Sequence, residues 1–251
     1  QLTVNQRPLN ATLSRQYDGT TTSAGSDLSS FDALQGGETL TLSGSGTSAS
    51  ANVANGIAMS SNGNLALVDG TGLASNYSLN STVINITERV LNSSGSKIYD
   101  ANTDALAADI TLSNLVSGEA LNHSGTATIS SANAGSYTIT NLAGITIADG
   151  SGGTASNYTL TGGTHNFTVN PKVVSIQGNK TYDGNTTISS GDITSITDTV
   201  GAETLVISSG SGTVSSANAA TYASAGINEG TLTLGNGTNG GLASNYTLTG
   251  H

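Results

Sequence analysis

The chain has 251 residues, among them 33 Gly, with 9% charged and 4% aromatic residues, no Trp and no Cys. Its formal net charge is −10 and only six residues are Lys or Arg, too few cations to neutralise a run of phosphates, so nucleic-acid binding is excluded and an anionic membrane surface would repel it. The lack of Cys excludes disulfide staples, thiolate metal sites and thiol chemistry, and so few bulky side chains suit several small cores better than one large core.

In chain order the first landmark is Tyr17-Asp18-Gly19, which returns as Tyr99-Asp100-Ala101 and Tyr182-Asp183-Gly184, at a nearly constant interval. A Glu follows each Tyr at almost the same distance, as Glu38, Glu119 and Glu203. Next come Ala51-Asn52, Ala132-Asn133 and Ala217-Asn218, and each copy closes on Ala-Ser-Asn-Tyr, ending at Tyr77, Tyr158 and Tyr246. The third copy carries a short insertion in its loop 235–241. Four landmarks in one order, three times over, define an internal repeat. We read the copies as residues 1–81, 82–163 and 164–251.

Within each copy the elements read as strands. Leu40-Thr41-Leu42, Tyr137-Thr138-Ile139, Ile145-Thr146-Ile147, Tyr158-Thr159-Leu160 and Leu232-Thr233-Leu234 alternate with period two, and no stretch has helical periodicity. Asp69-Gly70, Asp149-Gly150 and Asn236-Gly237 occupy equivalent loops and suit a turn with positive φ. Conversely, Ala101 in place of the Gly of the opening motif predicts that this turn does not need positive φ. Val4, Ile86 and Val169 stand at one fixed distance before the opening Tyr, in joints that read as strand and leave little freedom to rotate. The expected fold is all-β: a tandem array of three small β-sandwich-like modules of six or seven short strands, arranged end to end as a semi-rigid rod. No signal peptide or bilayer-spanning apolar run is visible. Because the pattern runs to both ends, the sequence reads as a piece of a longer extracellular protein.

Lys180-Thr181-Tyr182-Asp183-Gly184-Asn185-Thr186-Thr187 and the closing Ala243-Ser244-Asn245-Tyr246-Thr247-Leu248, both recurring in the other copies, resemble the YDG-type repeat domains of filamentous-haemagglutinin-like bacterial adhesins. The resemblance covers essentially the whole chain. It implies a segment of a very large surface protein of a Gram-negative bacterium, exported by an outer-membrane partner and serving cell adhesion or biofilm cohesion. Its partners would be further copies of the same module in the parent chain.

All six cations occupy two repeat positions: Arg7, Arg89 and Lys172, and Arg15, Lys97 and Lys180. Recurrence in so charge-poor a chain points to structural pairing within each copy rather than acid–base catalysis, which would need two carboxylates facing a cleft. No enzymatic activity is expected. Strand alternation sets Arg15, Lys97 and Lys180 on the face of the opening Tyr, and we expect them to pair with Glu38, Glu119 and Glu203, leaving Asp18, Asp100 and Asp183 to cap the following turn. Tyr17, Tyr99, Tyr182, Tyr77, Tyr158 and Tyr246 are expected in the core, as the largest fillers available.

No cofactor is expected. Calcium is disfavoured because EF-hand spacing and Gly-Gly-x-Gly-x-Asp runs are absent and Asp69 and Asp149 become Asn236 in the third copy. His123, His165 and His251 share no repeat position, so a repeated His metal site is unsupported. Asn76, Asn157 and Asn245 lie in glycosylation sequons. Two other readings compete with a stalk: a multivalent glycan-binding array, in which exposed Tyr faces stack on surface glycans, and a self-assembling filament, in which edge strands of like chains pair.

Overall fold

The computed structural model describes residues 1–248, apart from the side chain of Thr140; His251 lies outside the described residues. Among them are strands and one-turn 3-10 segments and no α-helix, so the chain is all-β with several sheets. Two compact units are present. The first comprises Gln1–Asn92, Leu112–His123 and Ile147–Gly163, and the second comprises Ser93–Thr111, Ser124–Thr146 and the chain from Thr164 onward.

Copy 1 lies wholly in the first unit, and eight strands begin in it, the last running on into copy 2: β1 (Arg7–Gln16), β2 (Thr22–Ala24), β3 (Leu28–Phe31), β4 (Leu40–Ser43), β5 (Ser45–Ser48), β6 (Ala54–Ser61), β7 (Ala66–Asp69) and β8 (Tyr77–Thr87). Six form one sheet in the order β2-β5-β6-β8-β1-β3, and β4 pairs with β7 separately. At its centre the opening strand β1 and the closing strand β8 run parallel, from Arg7 beside Tyr77 to Gln16 beside Thr87. Alternation decides which face is inward: Leu9, Ala11 and Leu13 of β1 are buried, as are Thr82, Ile84 and Ile86 of β8. Leu40 of the smaller pair packs on Leu9 and Tyr77, and Leu42 joins Ala11, Leu13, Ile84 and Ile86. Ile86 is therefore a core strand residue, as the strand-like reading of the joints predicts. Val4 differs: it lies before β1 and is exposed.

In the second unit Ser93–Ile98, the greater part of the strand Asn92–Ile98, runs parallel to His165–Asn170. Gly135–Asn141 pairs with the other side of that strand, and Phe167 and Val169 are buried beneath it. Further along, Ser175–Gly178 pairs with Ile193–Thr197, Thr187–Ser189 with Ser211–Val214, and Leu205–Ser209 with Thr233–Asn236. One register recurs in every copy: Arg7 faces Tyr77, Arg89 faces Tyr158 and Lys172 faces Tyr246. The first of the two cation positions thus marks where the opening strand meets the closing Tyr.

Two local expectations need correction. Ala101 does adopt the left-handed conformation, with φ of 63°, matching Gly19 at 78° and Gly184 at 80°. The turn demands positive φ, and Ala101 tolerates it at the steric cost of its Cβ. Ala101→Gly should therefore raise the unfolding free energy by about 1 kcal/mol, measured by urea denaturation; an unchanged or lowered stability would contradict this. Gly70, Gly150 and Gly237, by contrast, are not left-handed. A Cβ on them would collide with the carbonyl oxygens of Thr39, Ala120 and Thr204. Close backbone approach, rather than turn conformation, requires glycine there.

The residue before each of these glycines has a defined task. Asp69, Asp149 and Asn236 each accept, through Oδ1, the backbone N–H of the Ala that opens the closing motif: Ala74 at 2.6 Å, Ala155 at 2.7 Å and Ala243 at 2.8 Å. An amide oxygen serves as well as a carboxylate, which explains the Asp-to-Asn exchange in copy 3. Asp149→Asn should leave stability within about 0.5 kcal/mol of the parent, whereas Asp149→Ala should lower it by about 1 kcal/mol. Equal losses in the two variants on chemical denaturation would show that charge, not the acceptor, matters.

Candidate functional site

The opening turn is built by its own cation. Lys97 Nζ lies 2.8 Å from Asp100 and Lys180 Nζ 2.5 Å from Asp183, and Arg15 pairs with Asp18 in the same i,i+3 arrangement. The cation also reaches over the turn, Arg15 to the Thr20 carbonyl (2.5 Å), Lys97 to Asn102 Oδ1 (2.7 Å) and Lys180 to Asn185 Oδ1 (3.2 Å). The Asp Oδ1 in turn accepts the backbone N–H of Thr20, Asn102 or Asn185. Asp thus caps the turn, but pairing of Arg15, Lys97 and Lys180 with Glu38, Glu119 and Glu203 is not observed. A tight turn brings the i+3 carboxylate to the cation without long-range folding, and the Glu side chains are taken by tyrosines instead.

In the first unit, Tyr17 of copy 1 and Tyr158 of copy 2 donate to the two oxygens of one carboxylate, Glu119, at 2.6 and 2.7 Å. Their rings meet edge to face, with centroids 5.4 Å apart at 78°. This geometry suits the ring quadrupoles. Beside them Asn157 is 1% exposed. Its Oδ1 accepts the Val53 N–H at 2.9 Å and its Nδ2 donates to Asn52 Oδ1 at 3.0 Å. The closing Asn-Tyr and the Glu of copy 2 thus clasp the opening Tyr and the Asn turn of copy 1.

The second unit repeats the clasp. Tyr99 and Tyr246 donate to Glu203 at 2.7 Å each, with rings 5.3 Å apart at 78°. Asn245 accepts from the Ala134 N–H at 2.8 Å and donates to Asn133 at 3.0 Å. A further bond fixes the closing Tyr within its own copy: the N–H of Val116 donates to the Tyr158 hydroxyl at 3.1 Å, and that of Val200 to the Tyr246 hydroxyl at 2.9 Å.

Burial pushes the Tyr17 hydroxyl up to about 12, reinforced by its bond to the Glu119 carboxylate, and Tyr99 reaches about 12 through burial and Glu203. Tyr246 is also raised to about 12, chiefly by burial, with Glu203 adding to the rise and the Val200 N–H opposing it. Tyr158 is raised by burial and Glu119. These phenols are held in their neutral, donating form, so that each clasp is a pair of O–H donors closed on one carboxylate.

Five of the six expected core tyrosines are buried: Tyr17, Tyr77, Tyr99, Tyr158 and Tyr246. Tyr182 is 68% exposed, which corrects the expectation for that residue. Its counterparts are covered by the closing motif and Glu of the following copy, and no described residue supplies those groups to Tyr182. The Asn of the closing motif was read in the sequence only as part of a landmark and a sequon. Its burial at Asn157 and Asn245 makes it a clasp residue, and its fixed place before the Tyr was the available signal. Among the described residues no three His, Asp or Glu side chains are grouped to hold a metal ion.

An all-β chain with a clasp repeated in the same residue order is a β-repeat protein. The YDG domain matches it twice, over residues 2–84 and 87–166, and the chain belongs to the YDG domain family. No curated protein and no solved structure matches it.

Proposed function

We propose that the chain is a structural stalk segment of a large secreted bacterial surface adhesin of the filamentous-haemagglutinin-like kind, three modules joined end to end, that works in cell adhesion or biofilm cohesion. The observation that supports it best is the clasp. The Asn-Tyr of one copy is buried and its Glu half-buried where they bond the Tyr and the Asn turn of the copy before it, twice in the chain. Low charge, the absence of Cys and the Gly- and Thr-rich composition suit export to the extracellular surface. The function is mechanical, with no catalysis and no cofactor: the segment sets the reach of a binding region elsewhere in the parent protein.

Small-angle scattering on the chain tests the arrangement. The stalk reading expects a rod; a compact globule overturns it. A second reading has one observation in its favour. Tyr182 lies exposed on a groove of about 350 Å³, as a sugar-stacking ring would. Saturable binding on a glycan array that vanishes with Tyr182→Ala would favour a glycan-binding module over a stalk.

A further inference from the structure

The opening turn of copy 2 brings an amine, an amide and a carboxylate into mutual contact. Lys97 Nζ lies 2.7 Å from Oδ1 of Asn102 and 2.8 Å from Oδ1 of Asp100. The other oxygen of Asp100 accepts from Asn102 Nδ2 at 2.9 Å. One carboxylate therefore touches both the amine and the amide nitrogen, while the amine lies against the amide carbonyl. The Asp104 backbone N–H donates to that carbonyl oxygen at 2.9 Å and polarises it. The Lys97 side chain is 8% exposed, so its packed stem holds the amine in place.

Copy 3 assembles the same set. Lys180 Nζ is 3.2 Å from Asn185 Oδ1 and 2.5 Å from Asp183. Asn185 Nδ2 donates to Asp183 at 2.7 Å, and the Thr187 N–H donates to Asn185 Oδ1 at 2.9 Å. Copy 1 differs at two positions together. Arg15 stands in place of the Lys and Thr20 in place of the Asn, and Arg15 reaches the Thr20 backbone carbonyl instead. A turn held by charge alone accepts either cation, so charge does not account for Lys standing with Asn. A guanidinium stays protonated and a Thr side chain has no carbonyl. Copy 1 thus lacks both reactants.

We propose that an amide bond joins Lys97 to Asn102, and another joins Lys180 to Asn185, each formed by its own turn. Asp100 takes a proton from the Lys97 ammonium. The freed amine attacks Cγ of Asn102, whose oxygen is held by the Asp104 N–H. Asp100 passes its proton to Nδ2, the Cγ–Nδ2 bond breaks and ammonia departs. The second proton shed by Nζ goes to that ammonia, so ammonium is the by-product and the carboxylate is regenerated. A Cγ–Nζ bond replaces the Cγ–Nδ2 bond, and no oxidant is needed. Asp183 and the Thr187 N–H take the same parts in copy 3. Holding the amine against the amide supplies the effective concentration that a free lysine lacks. The linkage forms once per turn, turns over no substrate and does not depend on the stalk reading. It closes a covalent ring at the turn that carries Tyr99, the tyrosine bonded by Glu203.

Tryptic mapping of the unfolded chain is the test. Trypsin needs a free lysine side chain, so it should cut after Arg89 and Lys172 but not after Lys97 or Lys180. Fragments 90–172 and 173–251 should each be lighter than their sequence by one ammonia. Asp100→Asn removes the proton carrier and should slow linkage at Lys97 at least about a hundredfold, so that trypsin cuts there. Lys97→Arg keeps the charge that Arg15 supplies in copy 1, so it should fold with the parent's circular dichroism, be cut at that position and lose no ammonia from fragment 90–172. In the parent chain, cleavage after Lys97 overturns the proposal for copy 2, and cleavage after Lys180 overturns it for copy 3. Ammonia lost while Lys97 stays cleavable marks cyclisation of Asn102 on its own backbone and also overturns it. Linkage undiminished in Asp100→Asn does the same.

Discussion

Glu119→Ala should lower the unfolding free energy of the first unit by about 3 kcal/mol, and Glu203→Ala should do the same in the second. Each substitution leaves two buried tyrosine hydroxyls without the carboxylate that accepts from both. A hydrogen bond to a charged group is worth about 1.5–3 kcal/mol, and stranding a buried donor costs about 1–3 kcal/mol. The two bonds share one carboxylate, so their losses do not add fully. Glu38→Ala provides the internal control. Glu38 accepts from Tyr77 but from no tyrosine of another copy among the described residues, and the expected loss is about 1–2 kcal/mol. Chemical denaturation followed by circular dichroism checks the ranking. Equal effects at the three Glu positions would mean that the contact across copies contributes nothing beyond the contact within one.

Alkaline unfolding should fall between about pH 10 and 12. Tyr17, Tyr99 and Tyr246 titrate at about 12 in the fold against 10.0 for the free side chain. A folded value above the unfolded one means that the neutral phenol is the form the fold favours. The stabilisation is complete below about pH 10 and declines as the unfolded chain loses protons that the folded chain retains. Where two rings face one carboxylate the rise belongs to the pair rather than to either tyrosine alone. Thermal melts from mildly to strongly alkaline pH should show a flat plateau and then a steep fall above about 10, with tyrosinate absorbance rising together with loss of the β signal. Tyrosinate absorbance that rises to completion while the fold persists would contradict the buried, carboxylate-bound assignment. At the acid end Asp18 behaves in the opposite sense. Burial works to raise it, but the Thr20 N–H and hydroxyl and then Arg15 outweigh burial and hold it below its ordinary value. Its stabilising effect is present above the ordinary Asp value and fades as the pH falls through the lowered one.

Much of this arrangement is legible in the residues alone. Period two in Leu40-Thr41-Leu42 places Leu40 and Leu42 inward, and both are buried. The strand-like joint at Ile86 is a strand, because β8 runs on from the closing Tyr to Thr87. Scarcity of larger side chains puts the tyrosines in the core, and five of six are there. What one copy read by itself does not reveal is which copy a side chain serves. Spacing ties Glu119 to Tyr99 within copy 2, yet its carboxylate meets Tyr17, 102 positions earlier. Among the described residues Arg15 is then taken by local groups, the Asp18 carboxylate at i+3 and the Gln16 and Thr20 carbonyls. Ala101 misled for a different reason: a Cβ raises the energy of left-handed backbone without forbidding it, so an Ala in one copy does not reveal the conformation of the turn.

The central claim is that the regularly spaced Tyr and Glu act as one bond across copies, and a double-substitution cycle on Tyr17→Phe and Glu119→Gln tests it most directly. Each change is close to isosteric, so the core stays filled. If Tyr17 and Glu119 are coupled through the 2.6 Å bond, the loss in the double variant should fall short of the sum of the two single losses by about 1 kcal/mol. Losses that add to within about 0.3 kcal/mol would show that the two residues act independently, and the clasp would not be what joins one copy to the next.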